Sequence, residues 1–443
     1  MNMLKLIHDK KHGFAHSDEE IRYIVEGYTN DEIPDYQMSA WLMAVYFKGL
    51  SADETKSLTK YMIESGDVLD LSSINGITAD KHSTGGVGDK TTLVFAPIAA
   101  AAGIKISKMS GRSLGFTGGT IDKLESIEGF NVNLGMDEFI NQVNECGIAV
   151  MCQAGGVARC DKKLYALRDV TETVDSIPLI ASSVMSKKIA VGAQYLILDV
   201  KTGAGAFAKT DEEATELAKT MVEIGSGFGI KIAAFVTDMS TPLGRAIGNS
   251  VEVMEAIETL RGNGAGDLTE LVTELNAYLF ALCGRTESVE AGRELVRALI
   301  SSGAALGKLS EMIERQHGST ECILKPEILL DSDNLHEIYA DRSGFISEIA
   351  PESLAVILTE LGAGRLKKTD VINHKVGLIL EKKNGEHINK GDVIARLVIP
   401  EERLGELEEV TGRILNTFTI TEKAPPVGKL IKAVVTESGV TKY

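Results

Sequence analysis

The stretch "DKHSTGGVGDKTTL" (Asp80–Leu93) runs directly into "TTLVFAPIAAAAG" (Thr91–Gly103) and then "IKISKMS" (Ile104–Ser110). A small polar loop, an apolar helical run and a short strand-like run follow one another, which is the texture of an α/β domain. The loop itself is not one of the common nucleotide loops. Lys90 and Thr91 follow Asp89 rather than glycine, so the P-loop pattern fails. Gly85, Gly86 and Gly88 do not have dinucleotide-fingerprint spacing. What remains is a cradle for a phosphate-like anion: glycines let backbone N–H groups approach, hydroxyls add donors, and Lys81 and Lys90 supply charge.

Outward from this loop the alternation continues. "MDEFINQVNECG" reads as a helix and "IAVMC" as a strand; "YLILDV" reads as a strand, "DEEATELAKTMVEIGSGFG" as a helix and "IKIAAFVTDM" as a strand. On the N-terminal side, Ser17 with Glu20 and Ser51 with Glu54 have capping-box spacing, and "PDYQMSAWLMAVYFKGL" between them is apolar on several faces. "GDVLDLSSINGITAD" (Gly66–Asp80) reads as a linker, and Cys160–Gly192 as a return to helix. From about Asp331, short strand-like runs alternate with Gly, Asn and Asp turns. The expected fold is α/β and multi-domain. Residues 1–66 with 163–192 form a small helical lobe, and 75–160 with 193–330 a large α/β lobe with a central mixed sheet. Residues 331–443 form a β-rich C-terminal α+β module.

The net charge of −17 argues against nucleic acid and anionic membranes as partners. No apolar run reaches the length of a membrane span, and the N-terminus turns charged too early for a secretory signal, so the cytoplasm is expected. Five cysteines without C-x-x-C spacing read as free thiols rather than disulfides or a zinc site. No organic cofactor is signalled.

Two further polar stretches lie downstream. "SKMSGRSLGFTGGTIDKLE" (Ser107–Glu125) carries a second run of small residues. In "YALRDVTETVDSIPLIASSVMSKK" (Tyr165–Lys188), Ser183 and Lys187 share one helix face at i, i+4. His82 sits inside the glycine loop. "KHSTGGVGDKTTL", "MSGRSLGFTGGTIDKLESI" and "DKKLYALRDVTETVDSIPLIASSVMSKK" together closely resemble the signatures of thymidine and pyrimidine-nucleoside phosphorylases, in order and in spacing. "LDVKTGAGAF" and "LGAGRL" extend the resemblance along essentially the whole chain.

The resemblance implies reversible phosphorolysis of uridine, thymidine or deoxyuridine to the free base and a pentose 1-phosphate, with inorganic phosphate as co-substrate. It implies that Lys81, Ser83, Ser110 and Thr120 bind phosphate, with Thr92 and Lys108 nearby. It gives Arg168, Ser183 and Lys187 the pyrimidine, with Arg168, Lys187 and His82 catalytic and His82 near O2 as hydrogen-bond donor or general acid. Val174, Ile180, Val184, Phe207 and Phe116 would wall the base. Ser113 and Phe116 depart from the usual family pattern. The resemblance also implies a monovalent cation, potassium, at Gly88, Leu243, Ala246 and Glu255. There Lys90 replaces the small hydroxyl residue usual in the family and sets an ammonium against the ion. It further implies a homodimer formed through the helical lobes, and lobe closure about Gly66–Asp80, "GGVARCD" and "VGAQ". The alternatives are a thymidine-restricted phosphorylase, an anthranilate phosphoribosyltransferase-like enzyme and a non-catalytic nucleoside-binding protein. The Arg168, Ser183 and Lys187 block opposes the second, and retention of Lys81, His82, Ser83, Arg168 and Lys187 together opposes the third.

Overall fold

The computed structural model describes residues 1–112, 118–153, 156–367, 369–426 and 428–443. Ser113 and Phe116 lie outside the described residues. Four helices open the chain: α1 (Met3–Lys11), α2 (Asp18–Thr29), α3 (Asp35–Lys48) and α4 (Ala52–Glu64). Ser17 and Ser51 close both expected capping boxes. Each hydroxyl accepts from the glutamate N–H three residues on, and that glutamate accepts from the serine N–H. α3 buries Met38, Trp41, Leu42 and Val45, yet leaves Tyr36 and Phe47 each 73% exposed.

The α/β lobe follows in chain order as β1 (Thr78–Ser83), α5 (Thr91–Ala101), β2 (Lys105–Ser110), α6 (Thr120–Leu124), α7 (Met136–Cys146) and β3 (Ile148–Cys152). Two helices, α8 (Arg159–Asp169) and α9 (Ile177–Val191), precede β4 (Tyr195–Thr202), α10 (Asp211–Gly227) and β5 (Lys231–Asp238). β6 (Ala246–Gly248) leads into α11 (Ser250–Leu260), α12 (Gly266–Leu282), α13 (Val289–Ser301) and α14 (Ala304–Arg315). α5 is buried along nearly its whole length, between the sheet and helices α11–α14. Phe95 on it is fully buried, and truncating such a side chain to alanine costs about 3–5 kcal/mol.

β1, β2, β3, β4 and β5 pair in parallel, and β1 lies between β2 and β4. From β1 the chain turns first to one side, then crosses to the other. Its C-terminal end is therefore the topological switch point, where open α/β sheets bind ligands. Lys81, His82 and Ser83 end that strand. The linker expected over Gly66–Asp80 stops short of its predicted end, because β1 begins at Thr78. Asp80 and Lys81 are buried charges, so the strand has no apolar alternation to betray it.

The C-terminal strands are β7 (Leu335–Tyr339), β8 (Gly344–Ile349), β9 (Gly377–Leu380), β10 (His387–Ile388), β11 (Val393–Val398) and β12 (Phe418–Thr421), followed by β13 (Ile431–Thr436) and β14 (Gly439–Lys442). Here the expected boundary at residues 331–443 needs correction in two ways. β13 pairs antiparallel with β5 and carries β14, so the end of the chain completes a seven-stranded mixed sheet in the α/β lobe. Conversely, β6 joins β9, β11 and β7 in the module's own sheet. The assignment of 163–192 to the helical lobe also differs. α8 starts at Arg159, and α9 packs on both α4 and α10, so it bridges the two lobes.

Candidate active site

A cavity of about 320 Å³ opens at the C-terminal ends of β1 and β2, between the α/β lobe and helices α8 and α9. That volume lies within the usual range of about 300–1,000 Å³ for small-molecule sites. Of the residues singled out in the sequence, His82, Ser83, Thr92, Lys108, Ser110, Thr120, Arg168, Val174, Ile180, Ser183, Val184, Lys187 and Phe207 all line it.

At one end stand the groups of α8 and α9. Arg168 is 1% exposed and donates from Nε to the Thr173 carbonyl (3.1 Å), from Nη1 to Leu179 (3.2 Å) and from Nη2 to Val174 (2.5 Å). A guanidinium has five N–H donors in a rigid fork. Three are used to lock its position, which leaves two for a ligand. Lys187 donates to Asp161 Oδ2 (2.8 Å) and to Ser183 Oγ (3.2 Å), as the one-turn spacing anticipates. Tyr165, also in the lining, stands under both cations: Lys187 Nζ lies 5.9 Å and the Arg168 guanidinium carbon 5.8 Å from its ring centre. Asp161 and Tyr165 were not picked out in the sequence; both belong to the Cys160–Gly192 helical block, and only their packing shows their part.

The other end is a dense ionic layer. Asp80 pairs with Lys188 Nζ at 2.7 Å and with Lys108 Nζ at 3.3 Å. Lys108 also donates to the Lys81 carbonyl. Burial, with Lys188 and Lys81 close by and Asp80 opposing, brings the Lys108 ammonium down to about 7. His82 is held well below its ordinary value, first by burial and then by the ammoniums of Lys188, Lys108, Lys187 and Lys81. Its imidazole is therefore neutral at pH 7 and can donate a hydrogen bond. Hydrogen-bond donation is one of the two roles expected of it.

Lys81 corrects another expectation. It does not line the cavity. Its ammonium donates to Thr91 Oγ1 and lies 3.4 Å from Asp199 Oδ2 and 3.8 Å from Asp89 Oδ1. Two buried carboxylates draw it beneath the loop. Lys201 pairs with the same Asp199 oxygen at 2.8 Å, and Thr237 donates to the other at 2.6 Å. Asp89 does line the cavity and accepts a hydrogen bond from Ser83. Burial would raise its carboxyl, but Lys81, Lys201 and Lys123 outweigh that and hold it well below the carboxylate range. Spacing carries no signal for ion pairs between distant segments, so the sequence does not mark Asp89, Asp199, Lys188 and Lys201 as site residues.

The four positions expected to hold a monovalent cation do come together, but around a lysine. Lys90 Nζ donates to the carbonyls of Leu243 (2.9 Å) and Ala246 (2.7 Å) and to Glu255 Oε2 (2.5 Å). Gly88 has φ +73°, and a Cβ there would stand 2.6 Å from the Leu243 carbonyl, so the loop closes over this point only with glycine. The oxygens expected to ligate an ion are those that the Lys90 ammonium already engages; the residues present do not fit a resident potassium ion.

Fold and site together define a transferase class. Residues 4–66 match the helical bundle domain of a glycosyl transferase family and residues 75–306 its a/b domain, while 345–420 match the pyrimidine nucleoside phosphorylase C-terminal domain. A pyrimidine-nucleoside phosphorylase of Staphylococcus epidermidis is 47% identical over 99% of this chain and 100% of its own. One from Geobacillus stearothermophilus is 48% identical over 92% of this chain and 94% of its own. Among solved structures, anthranilate phosphoribosyltransferase from Thermus thermophilus matches with a TM-score of 0.57 at 18% identity, over 70% of this chain and 99% of its own, a likeness of fold. The chain belongs to the pyrimidine-nucleoside phosphorylase family of pentosyl-transferring enzymes.

Proposed function

We propose that the protein catalyses the reversible phosphorolysis of pyrimidine nucleosides, uridine and thymidine among them, to free base and (deoxy)ribose 1-phosphate. The observation that carries this reading is the polarity of one cavity. Constrained donors on α8 and α9 occupy one end, and hydroxyls with an ionic layer the other. A phosphate oxygen attacks C1′ as the C1′–N1 bond breaks, and the electron pair of that bond passes to the pyrimidine ring and its carbonyl oxygens. Arg168 and Lys187 would meet that growing charge, and neutral His82 would donate toward O2. Ser83, Thr92, Lys108, Ser110 and Thr120 would hold the phosphate. Lys81 would act from beneath, by neutralising Asp89, or by turning toward the anion once it arrives. Val174, Ile180, Val184 and Phe207 would contact the ring faces.

A homodimer through the helical lobe is part of this reading, supported by Tyr36, Phe47 and Val170, each at least 73% exposed on that lobe. We place the protein in the cytoplasm; no helix among the described residues is long and apolar enough to cross a membrane. We assign it a tethered ammonium in place of potassium.

The assay is phosphate-dependent cleavage of uridine, thymidine and cytidine by wild type and Lys108→Met. Lys108 lines the cavity and would offer its ammonium to a ribose 2′-hydroxyl, whereas methionine would desolvate that hydroxyl without return. Uridine and thymidine are both expected to be cleaved, with cytidine poor. Lys108→Met should depress uridine turnover more than thymidine turnover. Relative to the variant, the wild-type phosphate KM should rise between pH 6 and pH 8, as Lys108 loses its charge through about 7, while the phosphate's own ionisation acts on both proteins alike. No phosphate-dependent cleavage of any pyrimidine nucleoside refutes the function. A wild type that ignores uridine makes it thymidine-restricted, and an unchanged uridine-to-thymidine ratio in the variant removes Lys108 from the explanation.

A further inference from the structure

The motif "LGAGRL" (Leu361–Leu366) belongs to the C-terminal module, which has a hydrophobic core of its own. Yet the motif leaves that core. The helix Pro351–Leu358 runs into a wider turn, Thr359–Ala363, where Gly362 takes φ +107°, and the chain then reaches across to the α/β lobe. The Asn249 side chain donates to the Ala363 carbonyl (2.8 Å), and the Ser250 N–H to the His374 carbonyl (3.1 Å). Between these anchors, Arg365 Nη2 donates to Asp122 Oδ1 at 3.0 Å.

Asp122 is fully buried on α6, and the turn before it, Gly118–Thr120, lines the cavity. The same Oδ1 accepts from Arg112 Nη1 (3.3 Å), another residue of the cavity wall, whose Nη2 also donates to Glu125 Oε1 at 2.7 Å. Next along α6, Lys123 pairs with Glu252 and donates to the Asp89 carbonyl, each at 2.8 Å. One short helix is thus held by a guanidinium from each of two modules at Asp122, and by the phosphate loop at Lys123.

We propose that Arg365 is a positioning residue for the anion end of the cavity. Through Asp122 it fixes the Gly118–Thr120 turn, so that the C-terminal module sets phosphate affinity without touching phosphate. This rests on the reading of that end as the phosphate site. Without Arg365, Asp122 keeps a buried charge with one guanidinium fewer, and the turn is free to shift. Charge-assisted hydrogen bonds of this kind carry about a tenfold effect.

The test is steady-state kinetics with calorimetric titration of inorganic phosphate, on wild type, Arg365→Ala, Arg365→Lys and Arg413→Ala. Arg413 pairs with Glu360 at 2.6 Å, in the turn that precedes Arg365, and controls for general loosening of the module. Arg365→Ala should raise the phosphate KM about tenfold and leave the nucleoside KM within about twofold. Arg365→Lys should recover part of the loss, and Arg413→Ala should match wild type. Equal rises in both KM values, no change in either, or the same phosphate effect in Arg413→Ala would overturn the proposal. If wild type cleaves no nucleoside but binds phosphate, the functional reading fails and the calorimetric Kd decides: about tenfold weaker binding in Arg365→Ala upholds the positioning role, and equal binding overturns it. A wild type that neither cleaves nor binds phosphate overturns both.

Discussion

The two ends of the cavity are built on different principles. At the α8 and α9 end the cations are few and individually tethered: Arg168 to three carbonyls, Lys187 to one carboxylate and one hydroxyl. At the β1 end, charges pair in a buried layer, in which four lysines, Lys81, Lys108, Lys188 and Lys201, face three carboxylates, Asp80, Asp89 and Asp199. On the proposed reading, the first arrangement would hold donors rigidly toward charge that appears only during bond breaking, and its contribution would fall on turnover. The second would meet an anion that arrives already charged, and its contribution would fall on binding. The contrast predicts that substitutions at the two ends separate kcat from the phosphate KM.

The largest effect is expected at the first end. Arg168→Ala and Lys187→Ala should each lower kcat on the order of 10²–10³, as loss of one preorganised donor commonly does, about 2.7–4 kcal/mol. The phosphate KM should change little. Rapid-quench or steady-state assays on folded variants, checked by circular dichroism, measure this. Turnover near the wild-type value in either variant takes that residue out of the mechanism. A rise in phosphate KM alone would erase the distinction between the ends.

Lys81 sharpens the comparison from the other side. Lys81→Ala removes one of the cations that hold Asp89 ionised, leaving a less compensated carboxylate at the wall of the cavity. The phosphate KM should rise roughly tenfold or more and the nucleoside KM far less, since an uncompensated buried charge costs several kcal/mol, spread over stability and binding. Arg168 unmasks no carboxylate in the same way, because the groups it donates to are carbonyls. Unchanged phosphate dependence would show that the layer serves the fold and not the anion.

The same contrast explains what the sequence discloses. The α8 and α9 end is local: Arg168, Ser183 and Lys187 lie within one helical block, so helical spacing and family resemblance suffice to group them. β2, β3, β4 and β5 are legible because apolar runs bounded by helices have few other readings. β1 is hidden because the very charges that make the site, Asp80 and Lys81, replace its apolar pattern. The pairing of Lys81 with Asp199, of Lys90 with Glu255 and of Arg365 with Asp122 joins residues more than a hundred positions apart. Such ion pairs follow from strand order and from the return of the C-terminal module, which no local pattern encodes. The antiparallel addition of β13 to β5 is invisible for the same reason: "GKLIKAVVTE" announces a strand but not its neighbour.

The smallest effect concerns Lys90, where the two principles meet in one side chain. Its ammonium is fully buried like the β1 layer, yet tethered to named oxygens like Arg168. Burial alone would discharge it; Glu255 and Glu252 reverse that and raise its pKa above the ordinary lysine value. It therefore keeps its positive charge throughout the neutral range, on the same oxygens that a monovalent cation would need. A covalently attached charge cannot be diluted away, so its local concentration does not depend on the medium. Exchanging potassium for sodium or tetramethylammonium chloride at constant ionic strength, which keeps screening fixed, should change kcat by less than about twofold. Lys90→Thr makes the converse case. It takes the ammonium from two carbonyls and leaves Glu255 with only the backbone N–H groups of Arg245 and Ala246, so it should lower the melting temperature, since each unsatisfied buried group costs about 1–3 kcal/mol. Potassium should recover part of that loss, and tetramethylammonium, too large for the gap, should not. A wild-type enzyme that needs potassium steeply would mean that an ion displaces the ammonium from this nest; a Lys90→Thr variant indifferent to every cation would mean that the nest is not a cation site at all.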